Sequence, residues 1–328
     1  MSAPLGETVD RSLLVAVARR FFLEDASKVE IAKELGLNRF KVARLLELAR
    51  ELGVVTIELD DGGAVIPDLS ARLAQQLGLR HATVVESHGS PDAVRRQIGL
   101  AAAEHLQTTL KDGDALGVSW GRTIRAMAAA LPTLPRIAVV QLTGTVGAEL
   151  ADSPVEMVRM VAQNSGGSAR TIFTPMVVDD ARTAASLRAQ SDVANVLALM
   201  DHLDAAVLAL GSWAPPDSQL RETIPTPIRS ILEDQGVVAE VGALLIADDG
   251  SVVAHDFTDR CIAITEKQLR ETARIVLVGG GARKARAAAA VAKSGLVTEI
   301  VTDRALAEAV LERSCSTRSA PDGAIFSA

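Results

Sequence analysis

Apolar residues recur every three or four positions through the first fifty residues, then from about residue 80 fall into short unbroken runs. The first pattern predicts helices and the second predicts buried strands. Leu13, Leu14, Val17, Ala18, Phe21 and Phe22 predict a helix from about Asp10 to Phe22. Ser27 and Glu30 have the spacing of a capping box, so a second helix begins at Lys28, with Ile31 and Leu35 on one face and Gly36 at its end. Asn38 caps a third, in which Val42, Leu45, Leu46 and Ala49 repeat at helical spacing. Val54–Leu59 alternates and is β-branched, which predicts a strand.

The glycines at 62–63 interrupt this pattern and mark a boundary. Leu69, Leu73 and Leu77 predict a further helix. Strands are then expected at 82–86, 115–119, 137–142, 205–210, 274–279 and 298–302, separated by helical stretches. Ser90-Pro91 and Ser153-Pro154 each open a helix with a cap followed by proline. Residues 243–247 and 251–255 flank Asp248-Asp249-Gly250 as a hairpin. The expected fold is α/β, with an N-terminal helix-turn-helix domain followed by a mostly parallel open-sheet domain. The expected bounds are 1–60 for the first domain and 63–316 for the second, with a loose tail over 317–328.

Composition narrows the picture. The 328 residues are 48% hydrophobic but only 2% aromatic, without tyrosine, so alanine and aliphatic side chains must fill the core. Net charge is −7, which argues against wholesale coating of nucleic acid. Residues 1–53 hold nine Lys/Arg and eight Asp/Glu, a net of +1, which leaves −8 for the remainder. Residues 38–50 alone carry four basic residues and one acid. The base is local, as in a small module that touches phosphates. Cys261 and Cys315 show no zinc-like spacing, and the five histidines show no metal-ligand spacing. With neither a signal-peptide pattern nor an apolar run of membrane-spanning length, a cytoplasmic setting and no membrane partner are expected.

Two places carry candidate chemistry. In the third helix Arg39, Phe40, Lys41 and Arg44 point away from the apolar seam, which suits a helix laid in a DNA major groove. With Lys28 and Asn38 they form the candidate DNA-binding set. The second place is the row of turns after the strands: Gly121-Arg122-Thr123, Thr143-Gly144, Gly211-Ser212, and Gly279-Gly280-Gly281 followed by Lys284. Ligands in open α/β sheets sit beyond the carboxyl ends of the strands. Glycine there admits close backbone approach, and helix N-termini, Arg122, Thr123 and Lys284 suit a phosphate or another small anion. Residues 279–284 have neither Walker A nor dinucleotide-fingerprint spacing, and no Gly-x-Ser-x-Gly elbow occurs. Trp120 and Trp213 lie beside these turns, as packing residues or as walls of a sugar pocket.

The chain resembles the sorbitol-operon-regulator (SorC) family of sugar-binding transcriptional regulators from about residue 10 to 313. The resemblance is carried by LGLNRFKVARLLELARELGVVTI (35–57), LGVSWGRTI (116–124), VVQLTG (139–144), TPMVVDD (174–180), EVGALLIADDG (240–250), RIVLVGGGARKARA (274–287) and VTDRALAEAVL (301–311). It implies an effector domain similar to glucosamine-phosphate deaminase and ribose-phosphate isomerase, without catalysis and without a cofactor. It implies a phosphorylated sugar effector, operator DNA that is palindromic, and self-association to a dimer or tetramer. By the same resemblance Gly121, Arg122, Thr123, Thr143, Gly144, Glu240 and Lys284 line the effector site, joined by Gly211, Gly280 and Gly281 from the turns. The family pattern usually has aspartate at the place of Glu240 and a Cys-Gly pair at the place of Gly242-Ala243. A sugar-phosphate isomerase or deaminase with an appended DNA-binding head, and a constitutive DNA-binding protein with a structural α/β domain, are the alternatives.

Overall fold

The computed structural model describes residues 10–55, 63–146 and 153–318, and most of the strand expected at 54–59 lies outside them. The chain divides into two compact units, Met1–Leu59 and Asp60–Ala328.

The small unit is three helices. Helix α1 (Arg11–Phe22) begins at Asp10, whose carboxylate accepts from the Ser12 amide. Helix α2 (Lys28–Glu34) starts in a full capping box, Ser27 accepting from the Glu30 amide while Glu30 accepts from the Ser27 amide. Helix α3 (Arg39–Glu51) is capped by Asn38 through the Lys41 amide. Each cap satisfies an amide that the helix cannot, a contribution of about 1 kcal/mol. Leu14, Val17, Ile31, Val42 and Ala49 are fully buried or nearly so and join the three helices into one apolar cluster. Arg20 adds a polar tie from α1 to Glu34 of α2.

The large unit opens with α4 (Pro67–Leu77), β1 (His81–Val85), α5 (Pro91–Thr109), β2 (Ala115–Val118), α6 (Arg122–Ala130), β3 (Ala138–Gln141), α7 (Pro154–Ser165) and β4 (Ser168–Arg170). There follow α8 (Ala181–Arg188), α9 (Ser191–Leu199), β5 (Ala205–Ala209), β6 (Gly211–Trp213), β7 (Pro216–Asp217), α10 (Gln219–Thr223) and α11 (Thr226–Asp234). It closes with β8 (Val237–Val241), β9 (Leu244–Ala247), α12 (Asp256–Asp259), α13 (Glu266–Glu271), β10 (Arg274–Val278), α14 (Ala285–Lys293), β11 (Glu299–Asp303) and α15 (Arg304–Arg318). Seven strands form one sheet in the order β1-β11-β10-β5-β2-β3-β4, and every neighbouring pair is parallel.

Successive residues of the central strands feed opposite cores. Val139, Val207 and Val276 pack with α5, α6 and α7 on one face, while Val140, Leu208 and Leu277 pack with α4, α9, α14 and α15 on the other. This is the alternation of a pleated strand buried on both sides, which explains the unbroken apolar runs. Alanine fills much of both layers, including Ala101–Ala103 and Ala287–Ala288. Among the described residues no helix is long and apolar enough to cross a membrane.

The remaining four strands make a small sheet ordered β7-β6-β8-β9, antiparallel throughout. The hairpin expected at 243–247 and 251–255 forms in part: Ile246 bridges Val252, the Ala247 amide donates to the Ser251 carbonyl and the Val253 amide to the Leu245 carbonyl. On its other edge β9 also pairs with β8 around Gly242-Ala243, both at positive φ, the primed geometry of a two-residue hairpin turn. Of the tail expected to be loose over 317–328, Thr317 and Arg318 belong to α15, and the rest lies outside the described residues.

Candidate functional site

The strand order reverses between β2 and β5. From β2 the chain winds outward through β3 and β4, and it returns to β5 before building out through β10 and β11. Such a reversal leaves a crevice beyond the carboxyl ends of the two strands, where open α/β sheets place ligands. A cavity lies there. Ser119, Trp120 and Gly121 line it from the end of β2, and Ala209 and Leu210 from the end of β5. The small sheet forms the other wall, through Gly211, Asp217, Ser218 and Glu240.

Local sequence explains the shape of this crevice. Gly121 has φ +137°, and a Cβ on it would stand 2.9 Å from Ala209 Cβ, so only glycine makes this turn without strain. It begins α6 without a side-chain cap, leaving first-turn amides of that helix to the cavity side along with Arg122 and Thr123. Gly211 pairs with Glu240 across β6 and β8, and a Cβ there would lie 2.3 Å from Glu240 Cγ. Gly211 therefore makes room for the Glu240 carboxyl group.

Charges converge inside. Asp217 Oδ1 accepts from Arg122 Nη2 at 2.6 Å, and its Oδ2 lies 3.3 Å from Lys284 Nζ. Lys284 also donates to the Leu210 carbonyl at 2.8 Å. Burial lowers the ammonium pKa of Lys284, against the opposing pull of Asp217. Burial alone would raise Asp217, but Lys284 and Arg122 together hold its carboxyl below the ordinary range. Glu240 behaves oppositely. Its Oε1 accepts from Ser218 Oγ at 2.9 Å, while its Oε2 is sealed from solvent without a hydrogen-bond partner. Burial pushes this carboxyl up to about 7, against the Ser218 hydrogen bond and the Lys284 charge. A carboxyl poised there can accept from, or when protonated donate to, a sugar hydroxyl.

Of the residues expected to bind an effector, Gly121, Arg122, Thr123, Gly211, Glu240 and Lys284 meet at this cavity. Four others do not line it. Thr143 is fully buried in a bridge to Ala263, and the Gly144 amide donates to the Ile262 carbonyl, so their turn lies beneath the 261–264 segment. Gly280 is closed over by Ile98 and Asp303, and the Gly281 amide donates to Asp303 Oδ1 at 2.9 Å. The buried Asp303 carboxylate thus takes the anion cradle that the triple glycine offers.

Sequence reasoning missed Arg95, Asp217 and Ser218. Arg95 carried a readable signal: it sits one turn into the helix that follows β1, on the same sheet edge. Asp217 and Ser218 carried none, because nothing in Pro215-Pro216-Asp217-Ser218 foretells that β7 folds back along β6. Among the described residues no group of three or more His, Cys, Asp or Glu could hold a metal ion. Cys261 is buried and its thiol is pushed up to about 12, which leaves it unreactive.

In the small unit Arg39, Phe40, Lys41 and Arg44 are all exposed on α3, opposite the buried Val42, Leu45, Leu46 and Ala49. Phe40 is 72% exposed, with the Arg39 guanidinium 4.9 Å from its ring centre. Asn38 spends its side-chain oxygen on the helix cap. Lys28 lies at the start of α2, its ammonium 5.6 Å from the Phe21 ring.

Comparison with known proteins adds the following. Residues 66–312 match the family model described as "Putative sugar-binding domain". The "Deoxyribonucleoside regulator" of Bacillus subtilis is 26% identical over 279 residues, covering 84% of this chain and 89% of that protein. The "Transcriptional regulator LsrR" of Klebsiella pneumoniae is 28% identical over 314 residues, covering 90% and 93%. The crystal structure of the full-length sorbitol operon regulator SorC from Klebsiella pneumoniae superposes with a TM-score of 0.70 at 22% identity, over 92% of this chain and 98% of that one. These relatives bear the names of regulators and not of enzymes.

Proposed function

We propose that this chain, which belongs to the sugar-binding-domain family carried by transcriptional regulators, binds operator DNA through α3 and is controlled by a phosphorylated sugar held between Arg122 and Lys284. The relatives' names support the regulator class and an effector of the sugar kind. The phosphate rests on one observation: two cations and an uncapped helix N-terminus converge at the switch point of a unit with net charge −7. An anion has reason to bind there. Glu240, with a buried and unpartnered oxygen, is assigned to the sugar hydroxyls.

On the DNA side, a single module of this size reads only a few base pairs, and the net charge of residues 38–50 is a modest +3. Two-fold pairing of copies on a palindromic operator doubles the contacts and fixes half-site spacing at about one helical turn or a multiple.

The test is a thermal-shift screen of sugar phosphates against the corresponding free sugars, followed by operator titrations with each hit. A ligand at a hundredfold its dissociation constant stabilises the fold by about 2.7 kcal/mol. Hits are expected only among phosphates, lost in Lys284→Ala, and able to change operator affinity. Free sugars that bind as well as phosphates refute the phosphate reading. A hit without effect on operator affinity refutes the control.

A further inference from the structure

The cavity is contracted around its ion pairs. Its volume is about 50 Å³, against roughly 300–1,000 Å³ for sites that take small molecules. Enclosing a sugar phosphate there calls for part of the lining to move. The lining residue already occupying an anion's position is Asp217. Each of its carboxylate oxygens faces a different cation, Arg122 on one side and Lys284 on the other, as two oxygens of a phosphate would.

We propose that Asp217 is a built-in counter-anion, and that an effector's phosphate binds by displacing it from between Arg122 and Lys284 and drawing β7 away from β6. The inference rests on the phosphate reading above and adds how the site admits its ligand.

The three charged groups differ in their freedom to move. Lys284 is tethered to the Leu210 carbonyl and its side chain is only 14% exposed, so it stays. Asp217 is 36% exposed and ends a strand of two residues, held to β6 at Ser212–Asp217 and Trp213–Pro216, with one further tie from the Ser212 hydroxyl to the Pro215 carbonyl. Edge pairing this short opens at low free-energy cost. The carboxylate can therefore swing to water while the lysine remains to meet the incoming anion.

The displacement reaches the sugar end of the cavity as well. Ser218 follows Asp217 directly, and its hydroxyl both donates to Glu240 and accepts from the Arg221 amide at the start of α10. Pulling Asp217 outward strains the Ser218–Glu240 bond and frees the Glu240 oxygen for a ligand hydroxyl. Discrimination follows from the same arrangement. A neutral sugar that expelled Asp217 would leave Arg122 and Lys284 without a counter-charge, which is strongly disfavoured for the buried Lys284. Only a ligand that brings its own anion can take the seat.

Inorganic phosphate is the probe, titrated calorimetrically at low ionic strength into the full chain and into Asp217→Asn. Asparagine keeps the shape but loses the charge that competes for the seat. If the carboxylate holds the seat nine-tenths of the time, its removal tightens phosphate binding about tenfold, since apparent affinity scales with the open fraction. Hydrogen–deuterium exchange of residues 211–219 in the wild type gives a second reading that needs no variant. Exchange there is expected to rise on adding phosphate. Equal or weaker phosphate binding by Asp217→Asn overturns the inference and leaves the phosphate reading standing, as does unchanged or lowered exchange of residues 211–219 when phosphate binds. Failure of both proteins to bind phosphate overturns this inference and the phosphate reading together.

Discussion

Replacing Glu240 with glutamine tests the electrostatics of the cavity without any ligand. The carboxyl is raised from 4.5 to about 7 by burial, so the folded protein resists its ionisation. The sign follows from linkage: the folded state holds its proton to higher pH than the unfolded state does. Stability attached to that proton is complete below pH 4.5 and is lost as pH rises through 7. At roughly 1.36 kcal/mol per pH unit the loss reaches about 3 kcal/mol, a ceiling because Glu240 as a residue is only partly buried. Glu240→Gln keeps an oxygen for Ser218 but does not titrate. Its stability relative to wild type is therefore expected to climb between pH 5 and 7 and then level off. Urea unfolding followed by tryptophan emission reads this cleanly, because Trp120 and Trp213 are the only tryptophans and both belong to the large unit. A glutamine-minus-wild-type difference that stays constant from pH 5 to 8 refutes the reasoning. A constant offset added to that climb does not, since an amide in that pocket has its own pH-independent cost.

Three further outcomes are expected. Combined alanine replacement of Arg39, Lys41 and Arg44 should weaken operator binding by at least about 1–3 kcal/mol and flatten its salt dependence, and fluorescence anisotropy at several salt concentrations checks both. Gly211→Ala places a methyl 2.3 Å from Glu240 Cγ; it should lower stability by about 1–3 kcal/mol and abolish the sugar-phosphate thermal shift, while a wild-type response would contradict the packing at that pair. Sedimentation at micromolar concentration should give a symmetric oligomer, and only the 34.4 kDa monomer, with and without DNA, would contradict the pairing of copies.

Most of the parallel sheet was legible because each of its long strands is buried on both faces. The runs at 205–210 and 274–279 are unbroken for that reason, and β5 and β10 fall inside them. The helix caps at Ser27, Asn38, Ser90 and Ser153 were legible as well, since they act through neighbours two or three residues away. Strand β4 was not, being three residues of Ser168-Ala169-Arg170 on an edge with no apolar signature. The small sheet was legible only in part: β9 carries an apolar run, but β6 and β7 are defined by pairing rather than by pattern. The same division governs the cavity. Gly121, Arg122 and Lys284 announce themselves as turn glycine and turn cations after strands. Asp217 depends on a fold-back that no local rule encodes, and Gly280-Gly281 mislead because the cradle they form is taken by Asp303, more than twenty residues on.

The placement of the cavity between two sheets bears on how a ligand could be read out. One wall is the end of the seven-stranded sheet, which is rigid: β2 and β5 are paired on both sides and buried in two cores. The other wall is the four-stranded sheet, whose β7 is a two-residue edge. A ligand that grips Arg122 and Lys284 holds the rigid wall, since Lys284 is itself tied to the carbonyl just beyond β5. A ligand that grips Glu240 holds the other. Binding to both therefore changes the relation of a fixed wall to a compliant one, and compliance is confined to the hairpin that carries Asp217. The outer side of that hairpin, at Trp213, Ala214, Pro215 and Pro216, borders a surface groove lined by Arg283, Arg286 and α15. On the displacement proposal, exchange of an internal carboxylate for an external phosphate changes charge at the cavity and shape at this groove in a single step. A phosphate that merely filled space beside a seated Asp217 would change neither the pairing of β6 with β7 nor the groove beyond it, and the exchange measurement on residues 211–219 separates the two.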